Sequence, residues 1–335
     1  MMSTIPFPAA PDGRVLREQR VVARDGTSLA VSDWAGPSTD RTVIFLHGLC
    51  LSQAAWGIQT RHVLNRFDHR TRVITYDHRG HGASGPAPLH TYRLGQLAAD
   101  LDDVIAALEA HGPLILVGHS MGAMTALTYL SEGSCAAQVA GIVLCATAAG
   151  HLAVQGIGRL LGLPALDALI GAMSRVPTRA AGSLTAPIRL ALRRVGALGG
   201  ARSAALAEVF AHALESTPLS TALGFLSGLR DFDETPNLGS IRVRTTILSG
   251  GLDLLTPPSL SREMASAITG STHVHLPAAG HMLPQQEPHT VNAAVVEVVE
   301  SVAPARPEFT SARSESRPGS TVRTLCSDCA AGEAV

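Results

Sequence analysis

A chain of 335 residues that is 46% hydrophobic and 16% charged can bury a large core, which excludes a disordered or fibrous protein. The net charge of -1, with no basic stripe, argues against nucleic acid as a partner. No run of about 18 uninterrupted apolar residues exists to cross a membrane, so no membrane span is expected.

The first residues show no basic segment followed by an apolar one, so no secretory leader is read there. Residues 1–19 are taken as an N-terminal extension. Residues 20–35 read as a strand pair around the turn Asp25-Gly26. An apolar strand over 43–46 ends at His47-Gly48, and another over 73–76 ends at Asp77. Residues 91–111 carry a helical pattern, with Thr91 as N-cap and apolar positions at Leu94, Leu97, Leu101, Val104, Ile105 and Leu108. A strand over 114–118, a helix over 121–132 and a strand over 141–145 follow. Such alternation predicts an α/β fold with a mostly parallel sheet covered on both faces.

The alternation stops near residue 149. Residues 150–230 hold no convincing strand and are rich in Leu, Ala and Gly at helical lengths, as over 157–173, 187–197 and 201–215. An all-helical insertion of this kind is expected to form a lid. A strand over 245–250 resumes the pattern, with a helix from about Pro257 capped by Thr256. The last strand spans 273–276 and the closing helix 287–302. The core is thus expected over 20–149 and 231–303. Residues 304–335 are rich in Pro, Ser and Arg without periodicity and are expected to be a disordered tail.

Five cysteines are an odd number, and Cys135 and Cys145 lie in apolar surroundings. Reduced thiols in a cytoplasmic protein are the simplest expectation. The tail holds one Cys-x-x-Cys, Cys326 to Cys329, but zinc needs about four ligands and no second pair follows. No metal and no cofactor are expected.

Gly118-His119-Ser120-Met121-Gly122 sits between the 114–118 strand and the 121–132 helix, the setting of a nucleophile elbow. The turn forces a strained backbone on Ser120, and its small neighbours prevent clashes between strand and helix. A serine hydroxyl needs a base to take its proton and a carboxylate to orient that base. His281, in Ala278-Ala279-Gly280-His281-Met282, follows the last strand and is the expected base; His47, His119, His78 and His81 belong to other loops. Asp253, in Gly250-Gly251-Leu252-Asp253, leaves the preceding strand and is the expected carboxylate, with Asp231 and Asp233 as rivals. The oxyanion of a tetrahedral intermediate needs two donors, for which the N–H groups of Met121 and Leu49 are the candidates. Gly48 is read as letting the backbone approach substrate.

Leu46-His47-Gly48, the run from Asp77 to Ser84 (Asp-His-Arg-Gly-His-Gly-Ala-Ser), the elbow, Asp253 and Gly280-His281 together resemble the α/β-hydrolase fold superfamily over residues 20–300. The stretches 46–56 and 146–150 are similar to an actinobacterial group within it. This resemblance implies an eight-stranded, mostly parallel sheet with a helical cap after the sixth strand. It also implies that the loop from Asp77 to Ser84 is structural. Serine at position 120 argues against the dehalogenase and epoxide hydrolase branches, which use aspartate there. The insertion is apolar, with Phe210, Phe225 and arginines at 189, 193 and 194. The expected activity is hydrolysis of a carboxylic ester with a small to medium hydrophobic acyl group, through an acyl-enzyme on Ser120. Acyl transfer or cofactor-free perhydrolysis by the same triad, and a non-catalytic receptor, are the alternatives.

Overall fold

The computed structural model describes residues 13–152 and 217–302. Most of the expected lid, the first twelve residues and the expected tail at 304–335 therefore lie outside the described residues.

Eight strands form one sheet: β1 (Val15–Val22), β2 (Ser28–Ala35), β3 (Arg41–Leu46), β4 (Thr71–Tyr76), β5 (Leu114–His119), β6 (Val139–Cys145), β7 (Arg244–Gly250) and β8 (Thr272–Leu276). Their spatial order is β1-β2-β4-β3-β5-β6-β7-β8. β1 and β2 pair antiparallel, as do β2 and β4, and every other neighbour pair is parallel. The central strands are buried on both faces, which is why they read as unbroken apolar runs.

The period of two along each strand divides the core into two layers. Ile44, Leu46, Leu114, Leu116, Ile142 and Leu144 face α2 (Leu94–Ala107) and α3 (Met121–Glu132). Val43, Phe45, Ile115, Val117 and Val143 face α1 (Gly57–Arg66) and the closing helix, here named α7 (Pro288–Ser301). Between them in chain order come α4 (Leu219–Arg230), α5 (Pro258–Ala267) and the single turn α6 (Leu283–Gln286). α4 is the described end of the segment expected as a lid, and its Phe225 packs against Tyr92, with ring centroids 5.0 Å apart.

Three local expectations change. β1 begins at Val15, inside the stretch read as an extension. Most of its residues are exposed, so it lacks the alternation that would announce a strand. Just before it, buried Arg14 donates to the carbonyls of Leu64, Phe67 and Thr71 and ties the strand to the end of α1. Thr91 does not cap α2: its hydroxyl donates to the Pro88 carbonyl at 2.7 Å, and Arg93 holds the cap position. Thr91 closes the preceding turn Leu89–Thr91, two residues short of the cap position. Nor does Thr256 cap α5, which opens one residue later than expected behind Pro257.

Candidate active site

β3, β5, β6, β7 and β8 run parallel, so their C-terminal ends share one edge of the sheet. β3 lies between β4 and β5. The helix after β3 covers one face, while α2 and α3 cover the other, so the loops after β3 and β5 diverge at this point. Such a reversal opens a crevice where open α/β sheets bind ligands. Leu49 follows β3, Ser120 follows β5, Asp253 follows β7 and His281 follows β8.

The turn at Ser120 has φ 51° and ψ -118°, a conformation that L-residues avoid and that persists only where the surroundings enforce it. They do so here. The Ser120 N–H donates to the Cys145 carbonyl at 2.9 Å, and the Thr147 hydroxyl donates to the Ser120 carbonyl at 2.9 Å. The turn is thereby clamped to β6 and the residues after it. Gly122 brings the first turn of α3 against β3, where an added Cβ would sit 2.2 Å from the Leu46 carbonyl oxygen and 2.6 Å from that of His47. These are backbone atoms that cannot swing away. Gly122→Ala is therefore expected to destabilise the protein by about 1–3 kcal/mol or more, read as a lower urea midpoint. An unchanged midpoint would mean that α3 shifts without cost.

His281 Nδ1 lies 2.8 Å from Asp253 Oδ2. The Thr256 hydroxyl donates to the same oxygen at 2.7 Å, and the N–H groups of Leu255 and Thr256 donate to Oδ1 at 2.9 Å each. Burial alone would push this carboxyl up; His281 and the Thr256 donors outweigh it and hold it below the usual range. The acid therefore stays ionised beside the imidazole. Thr256, read from sequence as a helix cap, is a ligand of this carboxylate. A hydroxyl three residues after an acid, in the order Asp-x-x-Thr, was the available signal.

Asp231 and Asp233 are engaged elsewhere. Asp231 pairs with Arg230 at 2.9 Å, and Asp233 accepts the Thr235 N–H at 3.0 Å. Ser120 and His281 are not hydrogen-bonded to each other; side chain and loop approach through His119, whose Nε2 lies 2.8 Å from the His281 carbonyl oxygen. The N–H groups of Leu49 and Met121 have no acceptor among the described residues, which leaves both donors available. Leu49 and Met121 also pack with Met124, Ala148, Leu152, Phe225 and Leu260 in an apolar cluster above this edge.

The loop after β3 is braced by two buried histidines. His47 Nδ1 donates to the Gly48 carbonyl at 2.8 Å, and its Nε2 accepts the His78 N–H at 2.9 Å. His81 Nδ1 donates to the Arg79 carbonyl at 3.0 Å, and its Nε2 accepts the Cys50 N–H at 3.0 Å. Each ring is thus held as one neutral tautomer. Burial pushes His47 down to about 4 and, with His47 beside it, His81 down to about 3. Beneath them, Asp77 accepts the N–H groups of Gln53 at 2.7 Å and Ala83 at 2.8 Å, and Arg79 forks onto buried Asp100. Among the described residues, no three His, Cys, Asp or Glu side chains are grouped to hold a metal ion.

A family model described as alpha/beta hydrolase fold matches residues 41–288, a span that contains every one of these loops. The chain belongs to the alpha/beta hydrolase fold family. This α/β hydrolase is 35% identical over 112 residues to a non-heme chloroperoxidase of Streptomyces lividans, a match covering 33% of this chain and 38% of that one. A non-heme chloroperoxidase of Burkholderia pyrrocinia is 28% identical over 245 residues, 71% of this chain and 83% of the relative. An esterase structure from Exiguobacterium antarcticum shares the fold, with a TM-score of 0.65 at 24% identity, covering 85% of this chain and 100% of that one. In the α/β hydrolase described here, no helix among the described residues is long and apolar enough to cross a membrane.

Proposed function

We propose that this α/β hydrolase is a serine hydrolase that cleaves a carboxylic ester of a small to medium hydrophobic acid. The observation that carries the reading is the Asp253–His281 pair, 2.8 Å apart, on the same sheet edge as the strained turn at Ser120. In this mechanism Ser120 Oγ attacks the ester carbonyl while its proton passes to His281 Nε2. Asp253 orients the ring and stabilises the imidazolium that forms. The intermediate oxyanion is met by the N–H groups of Leu49 and Met121. His281 then protonates the leaving alcohol, and water, activated by the same ring, releases the acid from Ser120.

The apolar cluster of Leu49, Met121, Ala148, Leu152 and Phe225 supports a hydrophobic acyl group over a peptide. A second reading, transfer of the acyl group to hydrogen peroxide or an alcohol, draws support from the likeness to proteins named non-heme chloroperoxidase. It uses the same acyl-enzyme and differs only in the acceptor.

Hydrolysis of p-nitrophenyl esters from acetate to palmitate tests the reading. Turnover with an optimum at short to medium chains is expected. Absence of turnover from folded protein on every ester would sink it and favour a receptor. Product analysis with alcohol or peroxide present separates the two acceptors: formation of new ester or peracid in excess of free acid would replace hydrolysis with transfer.

A further inference from the structure

We propose that His119 is a positioning residue that locks the loop of His281 onto the nucleophile turn and the loop after β3. This rests on the reading of Ser120 and His281 as nucleophile and base. The His119 ring is only 2% exposed. Its Nε2 lies 2.8 Å from the His281 carbonyl oxygen. A carbonyl only accepts, so Nε2 carries the proton and Nδ1 keeps a lone pair. The rings of His119 and His281 are 5.0 Å apart and tilted by 52°. On its other side the ring fills the space beside Gly48: a Cβ there would lie 2.8 Å from His119 Nδ1, 3.3 Å from His119 Cε1 and 3.3 Å from Ser120 Cβ. The close approach that Gly48 permits is therefore to His119 and Ser120. One side chain touches the segments that carry the Leu49 donor, the nucleophile and the base.

The other anchors of the base act elsewhere. Asp253 fixes the ring of His281, not its main chain. The Gly280 N–H donates to Gln286 Oε1 at 2.7 Å, and the Ala279 carbonyl accepts the Leu252 N–H at 2.9 Å, so these bonds hold the residues before it. The bond from His119 joins the His281 main chain to the turn that bears Ser120. Proton transfer needs the two reacting atoms within about 2.6–3.2 Å. A misplacement of about 1 Å can cost about a hundredfold in rate. Neutrality of His119 serves the same end. Burial, with His281 nearby, pushes it down to about 3, so it places no positive charge beside the imidazolium that forms on His281.

The test compares His119→Phe, which fills the space without a donor, with His119→Gln, whose amide N–H reaches a similar point. Two quantities are read on the full chain. One is the rate at which a fluorophosphonate phosphonylates Ser120. The other is the downfield proton NMR signal of the His281 Nδ1–H bonded to Asp253, which needs no substrate. Phe at position 119 is expected to slow phosphonylation by about 10- to 100-fold and to broaden or abolish the signal. Gln at the same position is expected to restore both to within a few-fold of wild type. Wild-type behaviour of the Phe variant, or equal loss of both quantities in the two variants, would overturn the proposal. If wild type resisted phosphonylation while the signal vanished with Phe and survived with Gln, the nucleophile reading would fail and the role of His119 would stand.

Discussion

Ser120→Ala is expected to lower turnover of an activated ester by about three orders of magnitude or more, while the urea midpoint is expected to stay near that of wild type. The size of the effect follows from the proposed chemistry. Alanine keeps the turn, the apolar cluster and both N–H donors, but no acyl-enzyme can form. What remains is whatever water attack the donors promote unaided. His281→Ala is expected to cost a similar factor. Asp253→Asn is expected to cost somewhat less, because the Leu255 and Thr256 N–H groups still hold the side chain in place. Parallel assays of the three variants, with mass spectrometry for a trapped acyl adduct, decide the matter. Activity in Ser120→Ala within tenfold of wild type would remove Ser120 from the chemistry. Full activity in Asp253→Asn would remove the carboxylate, and the engagement of Asp231 with Arg230 and of Asp233 with Thr235 leaves neither ready to replace it.

The second large effect is on stability in acid. An unfolded histidine binds its proton near about pH 6.5. The folded rings resist until about 4 for His47 and about 3 for His81 and His119, chiefly because each is buried. Between those limits the unfolded chain holds protons that the folded chain does not, so stability falls as pH falls. Each ring contributes more than about 1 kcal/mol per pH unit. Geometry supports the sign: the Nε2 atoms of His47 and His81 accept backbone N–H groups, and a proton placed there would expel them. Urea midpoints at pH 7.5 and pH 5 are expected to differ steeply, with an uptake of about four protons on unfolding, because burial also pushes His78 well below its usual value. His81→Gln, whose side-chain carbonyl can accept the Cys50 N–H without titrating, is expected to lower that uptake by about one. A midpoint that holds level from pH 7.5 to 4.5 would contradict the buried neutral state of these rings. Since the same bonds brace the loop carrying Leu49, catalytic loss is expected to accompany the first steps of acid unfolding.

The chain itself specifies the central sheet plainly, because strands buried on both faces must be apolar at every position and stand out as runs such as Leu114 to Val117. It specifies the elbow too, since strand, Gly-x-Ser-x-Gly and helix are local, although the bonds that hold Ser120 in its strained backbone come from Cys145 and Thr147. Position after successive strands was enough to nominate Asp253 and His281, because parallel strands bring their ends to one edge. Elements stabilised by distant partners were not legible in this way. β1 is exposed along most of its length and exists because Ser28 to Ala35 pair with it. Thr256 looks like a cap until the carboxylate of Asp253 is placed within 2.7 Å of its hydroxyl. His119 looks like a spacer in the elbow until β8 and its loop bring the His281 carbonyl to 2.8 Å. A hydrogen bond across 162 positions leaves no mark on local composition, because its geometry exists only once the sheet has closed. Local chemistry named the candidate reacting groups, and the tertiary structure decided what holds them.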